Sequence, residues 1–360
     1  MNKPKYQTIA DDIREKIRSQ HYPIGPAIPA EHQLQVNYQA SRDTVRKAVT
    51  ILVNEGLLRR EKGSGTYVND LSHPNLPAIR PDRKTIGVIT TYISDYIFPS
   101  IIRGIELRLK EKGYSLLLSS TNNDYAQEEK CLEKMIDFGV DGLIVEPTKS
   151  NQYNPNLATY VNLHAHNIPI VMINAVYEEL NLPYICVDDV EVGYLATKEL
   201  IDKHHTQLLL ITKLDDQQGK LRMKGFIKAC EENHIKISSD LIITFTTESE
   251  PDVYRKALER LEKSPDITGI VCYNDEVAKK LCSRILEMGF SIPDDYSIVG
   301  NDNSSLSQIG GVNLSSTEHP KEKMGIAAAD WIVSTIEKGQ PEANLLYHTH
   351  LVRRNSVKCL

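Results

Sequence analysis

The sequence predicts an α/β protein of two parts. A small helical head with a β-hairpin occupies residues 1–70. A larger α/β body of two subdomains with parallel sheets occupies residues 85–360, and residues 71–84 link them. Three observations carry this. Apolar residues recur at helical spacing through the first fifty positions. Near-continuous apolar runs alternate with amphipathic stretches from Thr85 onward, as strands buried on both faces require. Charge divides between the parts: residues 1–84 hold 14 Lys+Arg against 9 Asp+Glu, whereas residues 85–360 hold 28 against 39. The first part can meet a polyanion, and the acidic body cannot do so over much of its surface.

In the head, "YQTIADDIREKIRSQ" places Ile9, Ile13 and Ile17 on one helical face. Three prolines and a glycine in "YPIGPAIP" end that helix. "AEHQLQVNYQA" is a short second helix with Leu34 inward, together with Val36 or Tyr38. In "SRDTVRKAVTIL", Ser41 is an N-cap, its side-chain oxygen answering an orphan backbone N–H. At 100° per residue, Val45, Ala48, Val49 and Leu52 share the inner face, and Arg42, Asp43, Arg46, Lys47 and Thr50 the outer one. "GLLRRE", "KGSG" and "TYV" then read as strand, turn and strand. The order is that of a winged helix-turn-helix. Arg42 and Arg46, four residues apart on the first turns of its third helix, can reach a base edge or clamp phosphates in a major groove.

"IPAEHQLQVNYQASRDTVRKAVTILVNEGLLRREKGSGTYV" resembles the GntR-family winged helix along nearly all its length. Pro29, Glu31, Leu34, Ser41, Arg42, Thr44, Val45, Arg46, Glu55, Gly56, Leu57, Gly63, Gly65, Thr66 and Val68 follow that pattern in order, and Ala30 departs from it. The resemblance implies that Glu31, Ser41, Arg42, Thr44 and Arg46 meet double-stranded operator DNA, with Lys62, Gly63, Ser64 and Gly65 as the wing tip and Lys5 on a phosphate. Asp43 either accepts from a cytosine amino group or turns away. "GSGTYV" matches half of a dinucleotide-binding motif, but it runs into a strand and lacks the helix N-terminus that would hold pyrophosphate.

In the body, nine apolar runs read as strands: "TIGVITT", "YSLLLSS", "VDGLIVE", "IPIVMIN", "PYICVDD", "QLLLIT", "DLIITFTT", "ITGIVCYND" and "YSIVGND". The alternation restarts near Gln207, which suggests two subdomains with a ligand between them. Glu146, Asn174, Asp188, Asn274 and Asp302 stand at the carboxyl ends of five runs, where open α/β sheets bind ligands. Asp189 and Asp275 serve equally well as helix caps.

The body resembles the LacI/GalR regulators and their periplasmic-binding-protein relatives through "DGLIVEPT", "VDDVEVGYLAT", "RMKGF", "YNDEVA" and "IPDDYSIVGNDNS". Joined to a GntR-type head, it is similar to the arabinose-responsive repressors. That resemblance implies an effector site of Tyr96, Phe98, Glu146, Asn174, Asp188, Arg222, Asn274 and Asp302. His319 either starts a helix or touches the ligand. Arg222 is the single cation in the set, which suits a neutral pentose, L-arabinose, better than a sugar phosphate. The alternative is the same architecture answering to another sugar, a sugar phosphate or a purine. The resemblance also implies a homodimer with body-to-body contacts.

No nucleophile elbow, P-loop, zinc-protease motif or cysteine pair occurs, so no enzyme, cofactor or metal is expected. The pairs at His164/His166, His204/His205 and His348/His350 lack further close ligands. The six cysteines follow no disulfide spacing and read as buried thiols. With no apolar leader and no long apolar run, a cytoplasmic protein that does not enter a membrane is expected.

Overall fold

The structure, a computed structural model, describes residues 4–19, 21–23, 25–54, 57–61, 64–68, 84–94, 96–308, 310–339 and 343–360. The chain divides into two compact units, Met1–Ala78 and Ile79–Leu360.

In the first unit, α1 (Lys5–Arg18), α2 (Glu31–Tyr38) and α3 (Arg42–Asn54) precede an antiparallel hairpin of β1 (Leu58–Glu61) and β2 (Gly65–Val68). Ile9, Ile13, Ile17, Leu34, Val45, Val49, Leu52, Leu58 and Val68 form one buried cluster, so all five elements share a core. Of the two candidates on α2, Tyr38 packs inward and Val36 is 75% exposed. The Tyr38 hydroxyl donates to Asp12 at 2.5 Å and accepts from Lys16 at 3.2 Å, which ties α2 to α1. Burial, followed by the bond to Asp12, pushes that phenol up to about 12.

The second unit holds two six-stranded sheets. The first half runs β3 (Thr85–Thr90), α4 (Phe98–Glu111), β4 (Ser115–Ser120), α5 (Tyr125–Phe138), β5 (Gly142–Val145), α6 (Leu157–Ala165), β6 (Ile170–Ile173) and β7 (Tyr184–Val187). The chain then crosses to the second half with α7 (Asp189–Asp202), β8 (Leu208–Lys213), α8 (Gln217–Glu232), β9 (Ile242–Phe245), α9 (Glu250–Lys263), β10 (Gly269–Cys272), α10 (Asp275–Glu287), β11 (Ser297–Asp302) and β12 (Ser315–Glu318). It returns to the first half with α11 (Lys321–Lys338) and β13 (Leu345–Tyr347), and crosses again to end on β14 (Leu351–Val352).

The sheet orders are β13-β7-β6-β5-β3-β4 and β14-β12-β11-β10-β8-β9. Every pairing is parallel except β12 with β14. All nine predicted strands form. The return to the first half was not anticipated, because β13 and β14 are only three and two residues long and carry no resolvable period.

The return completes the first core. Met324, Ala328, Trp331 and Ile332 of α11 pack with Ile86, Val88, Ile101 and Ile144. α11 meets α4 through facing glycines: a Cβ on Gly104 would lie 2.3 Å from the Glu322 carbonyl, and one on Gly325 2.2 Å from that of Ile101. The second core gathers Leu209, Ile211, Ile270, Leu281, Ile285 and Ile298, with Leu200, Phe226 and Val299 in a cluster of their own. Five cysteines are buried, Cys359 is exposed, and all six are free thiols. Among the described residues no helix is long and apolar enough to cross a membrane.

Candidate functional site

The first candidate surface is α3 with its hairpin. Ser41 caps the helix: its Oγ accepts from the Thr44 amide at 3.3 Å and meets the Thr44 hydroxyl at 2.8 Å. Because the apolar residues face inward, Arg42, Asp43, Arg46, Lys47 and Thr50 are exposed. Arg46 and Asp43 have no side-chain partner among the described residues. Glu31 at the start of α2 lies 4.0 Å from Arg42 and 3.5 Å from Arg60, a loose bridge across the exposed face. Lys47 lies over the Tyr6 ring at 4.2 Å, and Lys5 donates to the Gln39 carbonyl at 2.6 Å, so both also hold elements together. Ser64 is exposed and meets the Tyr67 hydroxyl at 2.6 Å. Gly65 turns the hairpin at φ +150°, a value that favours glycine. Lys62 and Gly63, and Glu55 and Gly56 of the motif, lie outside the described residues, as does the predicted linker apart from Lys84.

The second candidate is a cavity of about 270 Å³ between the two halves of the body. Of the eight predicted residues, seven line it: Tyr96, Phe98, Glu146, Asn174, Arg222, Asn274 and Asp302. Asp188 is placed differently. Its Oδ1 accepts from the Val190 and Glu191 amides at 3.1 and 3.0 Å, capping α7, while the adjacent Asp189 lines the cavity. Asn274 does both: its Oδ1 caps α10 through the Val277 amide at 2.9 Å. Asp275 is turned inward, where it accepts from Ser304 and Ser316.

Arg222 organises one wall. It donates from Nε to Asp189 and from Nη2 to Asp302, both at 2.8 Å, and from Nη1 to the Tyr273 carbonyl at 2.6 Å. The Tyr96 hydroxyl, carried by the first half, donates to Asp302 of the second at 2.6 Å. Burial works to raise the Asp302 carboxyl, but Arg222, His319 and the Tyr96 hydroxyl outweigh it and hold it below the usual range. Asp189, with one arm of Arg222 alone, is raised by burial to about 6.

The opposite wall is a relay. Thr91 donates to Glu146 through its amide at 2.9 Å and its hydroxyl at 2.6 Å. Asn174 donates to Glu146 at 2.9 Å, and His319 Nε2 meets the Asn174 oxygen at 3.1 Å. His319 is buried, and burial drives its imidazole down to about 4, so it is neutral near pH 7. With Nε2 donating to Asn174, Nδ1 is an acceptor, and it has no partner among the described residues. Lys213, Asp216, Glu250, Glu276 and Tyr273 also line the cavity; Lys213 pairs with Asp216 at 2.6 Å.

Sequence reasoning missed Thr91, Asp189, Lys213, Asp216 and Tyr273. The signal for Lys213 was present, since it closes the run "QLLLITK" as Glu146 and Asn174 nearly close theirs. The net lining is acidic, with six carboxylates against two cations, and both cations are already neutralised. Phe98, Tyr92, Phe245 and Tyr273 add ring surface. Such a wall suits a ligand rich in hydroxyls: carboxylates and the imidazole accept, amides donate, and rings cover C–H faces.

The three crossings between the halves are bonded together. The Asp188 amide donates to the Tyr347 carbonyl, and the Glu318 amide to that of His350, both at 2.9 Å. Glu191 accepts from His348 at 3.0 Å and from the Thr349 amide at 3.1 Å. Asp188, Glu191 and His348 thus come within 4.8 Å of one another, but their donors and acceptors already serve these bonds and the α7 cap.

Comparison with known proteins agrees with this division. Residues 5–68 match the family model of bacterial regulatory proteins, gntR family, and residues 197–357 match that of the periplasmic binding protein-like domain. The chain is 44% identical over 361 residues to an arabinose metabolism transcriptional repressor of Halalkalibacterium halodurans, covering 98% of this chain and 96% of that protein. The chain belongs to the family of arabinose metabolism transcriptional repressors. A second member, from Geobacillus stearothermophilus, is 42% identical over 99% of this chain and 98% of its own. Among solved structures, the transcription regulator CcpA of Lactococcus lactis superposes with a TM-score of 0.68 at 26% identity, covering 76% of this chain and 99% of that one. This chain joins a gntR-type head to a periplasmic-binding-protein-like body.

Proposed function

We propose that the protein is a cytoplasmic homodimer that represses arabinose-use genes from operator DNA and lets go when L-arabinose fills the cavity. One observation carries this reading. A single chain combines a helix whose arginines face outward with a cavity whose two cations are already paired and whose remaining carboxylates and imidazole can accept from hydroxyls. Arg42 and Arg46 read bases or clamp phosphates, the N-terminus of α3 favours the anion, and Lys5, Glu31, Thr44 and the hairpin tip hold register. Two copies place two recognition helices about 34 Å apart, one turn of DNA.

In the cavity, Asp302, Asp189, Glu146 and His319 Nδ1 accept from sugar hydroxyls, and Arg222, Asn174 and Asn274 donate. A sugar phosphate would need a free cation, and Lys213 and Arg222 are both committed to carboxylates. L-arabinose tightens the closed cleft and lowers operator affinity. By linkage, operator DNA weakens sugar binding by the same factor. Titrating purified protein with operator duplex, with and without L-arabinose, D-xylose, ribose 5-phosphate and a purine, tests this. Release by L-arabinose with a matching loss of sugar affinity on DNA is expected. Release by the phosphate or the purine alone overturns the ligand assignment.

A further inference from the structure

Glu128 on α5 is fully buried and has no basic partner among the described residues. Four side chains donate to its carboxylate: Tyr177 at 2.5 Å, Asn154 at 2.6 Å, Tyr160 at 2.7 Å and Asn156 at 2.9 Å. A buried carboxylate without a counter-ion depends on such donors, so the donors are fixed as firmly as the acceptor. Two of them, Asn154 and Asn156, belong to the segment of residues 147–156 that joins β5 to α6 without helix or strand.

The same segment is held at its other end. The Thr148 amide donates to the Tyr177 hydroxyl at 2.7 Å, and the Lys149 amide to Asn123 Oδ1 at 2.8 Å. Its tip then reaches the other half of the body. The Asn151 amide donates to the Asp215 carbonyl at 3.0 Å and the Asn151 side chain to the Leu214 carbonyl at 2.8 Å. Ser150 Oγ accepts from the Gln217 amide at 2.8 Å, and Lys149 pairs with Glu248. Neither residues 149–151 nor Glu128 line the cavity.

We propose that residues 149–151 are a latch that keeps the two halves of the body closed over the ligand, and that Glu128 is the positioning residue that presents this latch. It rests on the reading that L-arabinose occupies the cavity. Because the latch touches no ligand, it sets how long a sugar stays and not which sugar is chosen. Recognition and residence are therefore separable in this chain.

The test uses the full chain, Glu128→Gln, Asn151→Ala and the double variant. The Gln amide would face the donor groups of Asn154 and Asn156 and release the segment. Each single variant is expected to speed L-arabinose dissociation about fivefold, the equivalent of one net hydrogen bond. Association and the preference for L-arabinose over D-xylose stay unchanged. The double variant is expected to be no faster than Glu128→Gln, since both act through one element. Effects that multiply, or dissociation unchanged in Glu128→Gln despite a lowered Tm, overturn the proposal.

A second arm needs no sugar. In Glu128→Gln the amides of Asn151 and Gln217 are expected to exchange hydrogen faster while those of β3 and β10 do not. If wild type takes up no L-arabinose, the ligand assignment fails, and this arm decides the latch: unchanged protection at Asn151 overturns it. If Glu128→Gln does not fold, Asn154→Ala keeps the carboxylate and is expected to give the same signature in smaller measure; its absence overturns the proposal.

Discussion

On α3, the Arg42 side chain is 73% exposed and its nearest carboxylate is 4.0 Å away; in the cavity, the Arg222 side chain is 6% exposed with two carboxylates at 2.8 Å. The difference teaches what each arginine is for. An exposed guanidinium with a loose partner adds little to stability and leaves its donors available. A buried one with two carboxylates has used its charge internally. It shapes a polar wall, and removing it strands two acids.

The sharpest way to break this contrast is Arg222→Ala. Losing a buried, doubly paired cation is expected to destabilise the body by about 3–5 kcal/mol and abolish the L-arabinose response, measured by urea unfolding and calorimetry. Operator binding by the sugar-free protein is expected to persist. Full stability in that variant would show that the cavity charges are no more interdependent than those on α3. Next in size, Arg46→Ala is expected to cost about 1–3 kcal/mol of operator affinity if it reads a base. Its unfolding free energy should stay within about 0.5 kcal/mol of wild type, as surface changes do. Equal loss on operator and random duplex would assign Arg46 to a phosphate.

Tyr96→Phe sharpens the cavity side. It removes the hydroxyl that bridges the halves to Asp302, and about 1 kcal/mol of sugar affinity is expected to go with it in calorimetry. A pH series tests the buried imidazole. His319 titrates at about 4 in the folded chain and near 6.5 when unfolded, so between those values the unfolded chain binds more protons. Stability contributed by keeping it neutral is complete above pH 6.5 and declines as pH falls toward 4. Asp189, raised to about 6, acts in the opposite sense below that pH. The difference between wild type and His319→Gln isolates the histidine, and a constant difference from pH 7 to 4.5 would contradict its depressed titration.

Legibility in the sequence followed the length of the signal. The five apolar positions Val45, Ala48, Val49, Leu52 and Ile13 lie on long helices, and each is buried. On α2, with eight residues, Val36 and Tyr38 could not be separated until the Asp12 bond was seen. Strand ends marked the cavity because parallel sheets present their carboxyl ends together, yet Asp188 and Asp189 exchanged places. A one-residue uncertainty where a strand becomes a helix turns a side chain to another side. Arg222 meets Asp189 and Asp302, 33 and 80 residues away, so that pairing is a product of topology and not of local pattern.

The path of the backbone through the body also governs its biosynthesis. Six of the twenty buried residues of the first core are encoded late, among them Trp331 and Ile332, and β13 extends its sheet at residues 345–347. A nascent polypeptide emerging from the ribosome therefore cannot finish the first half of the body until nearly the whole message has been read. Any premature stop upstream of Met324 leaves both lobes unfinished, the first without α11 and β13 and the second without β14.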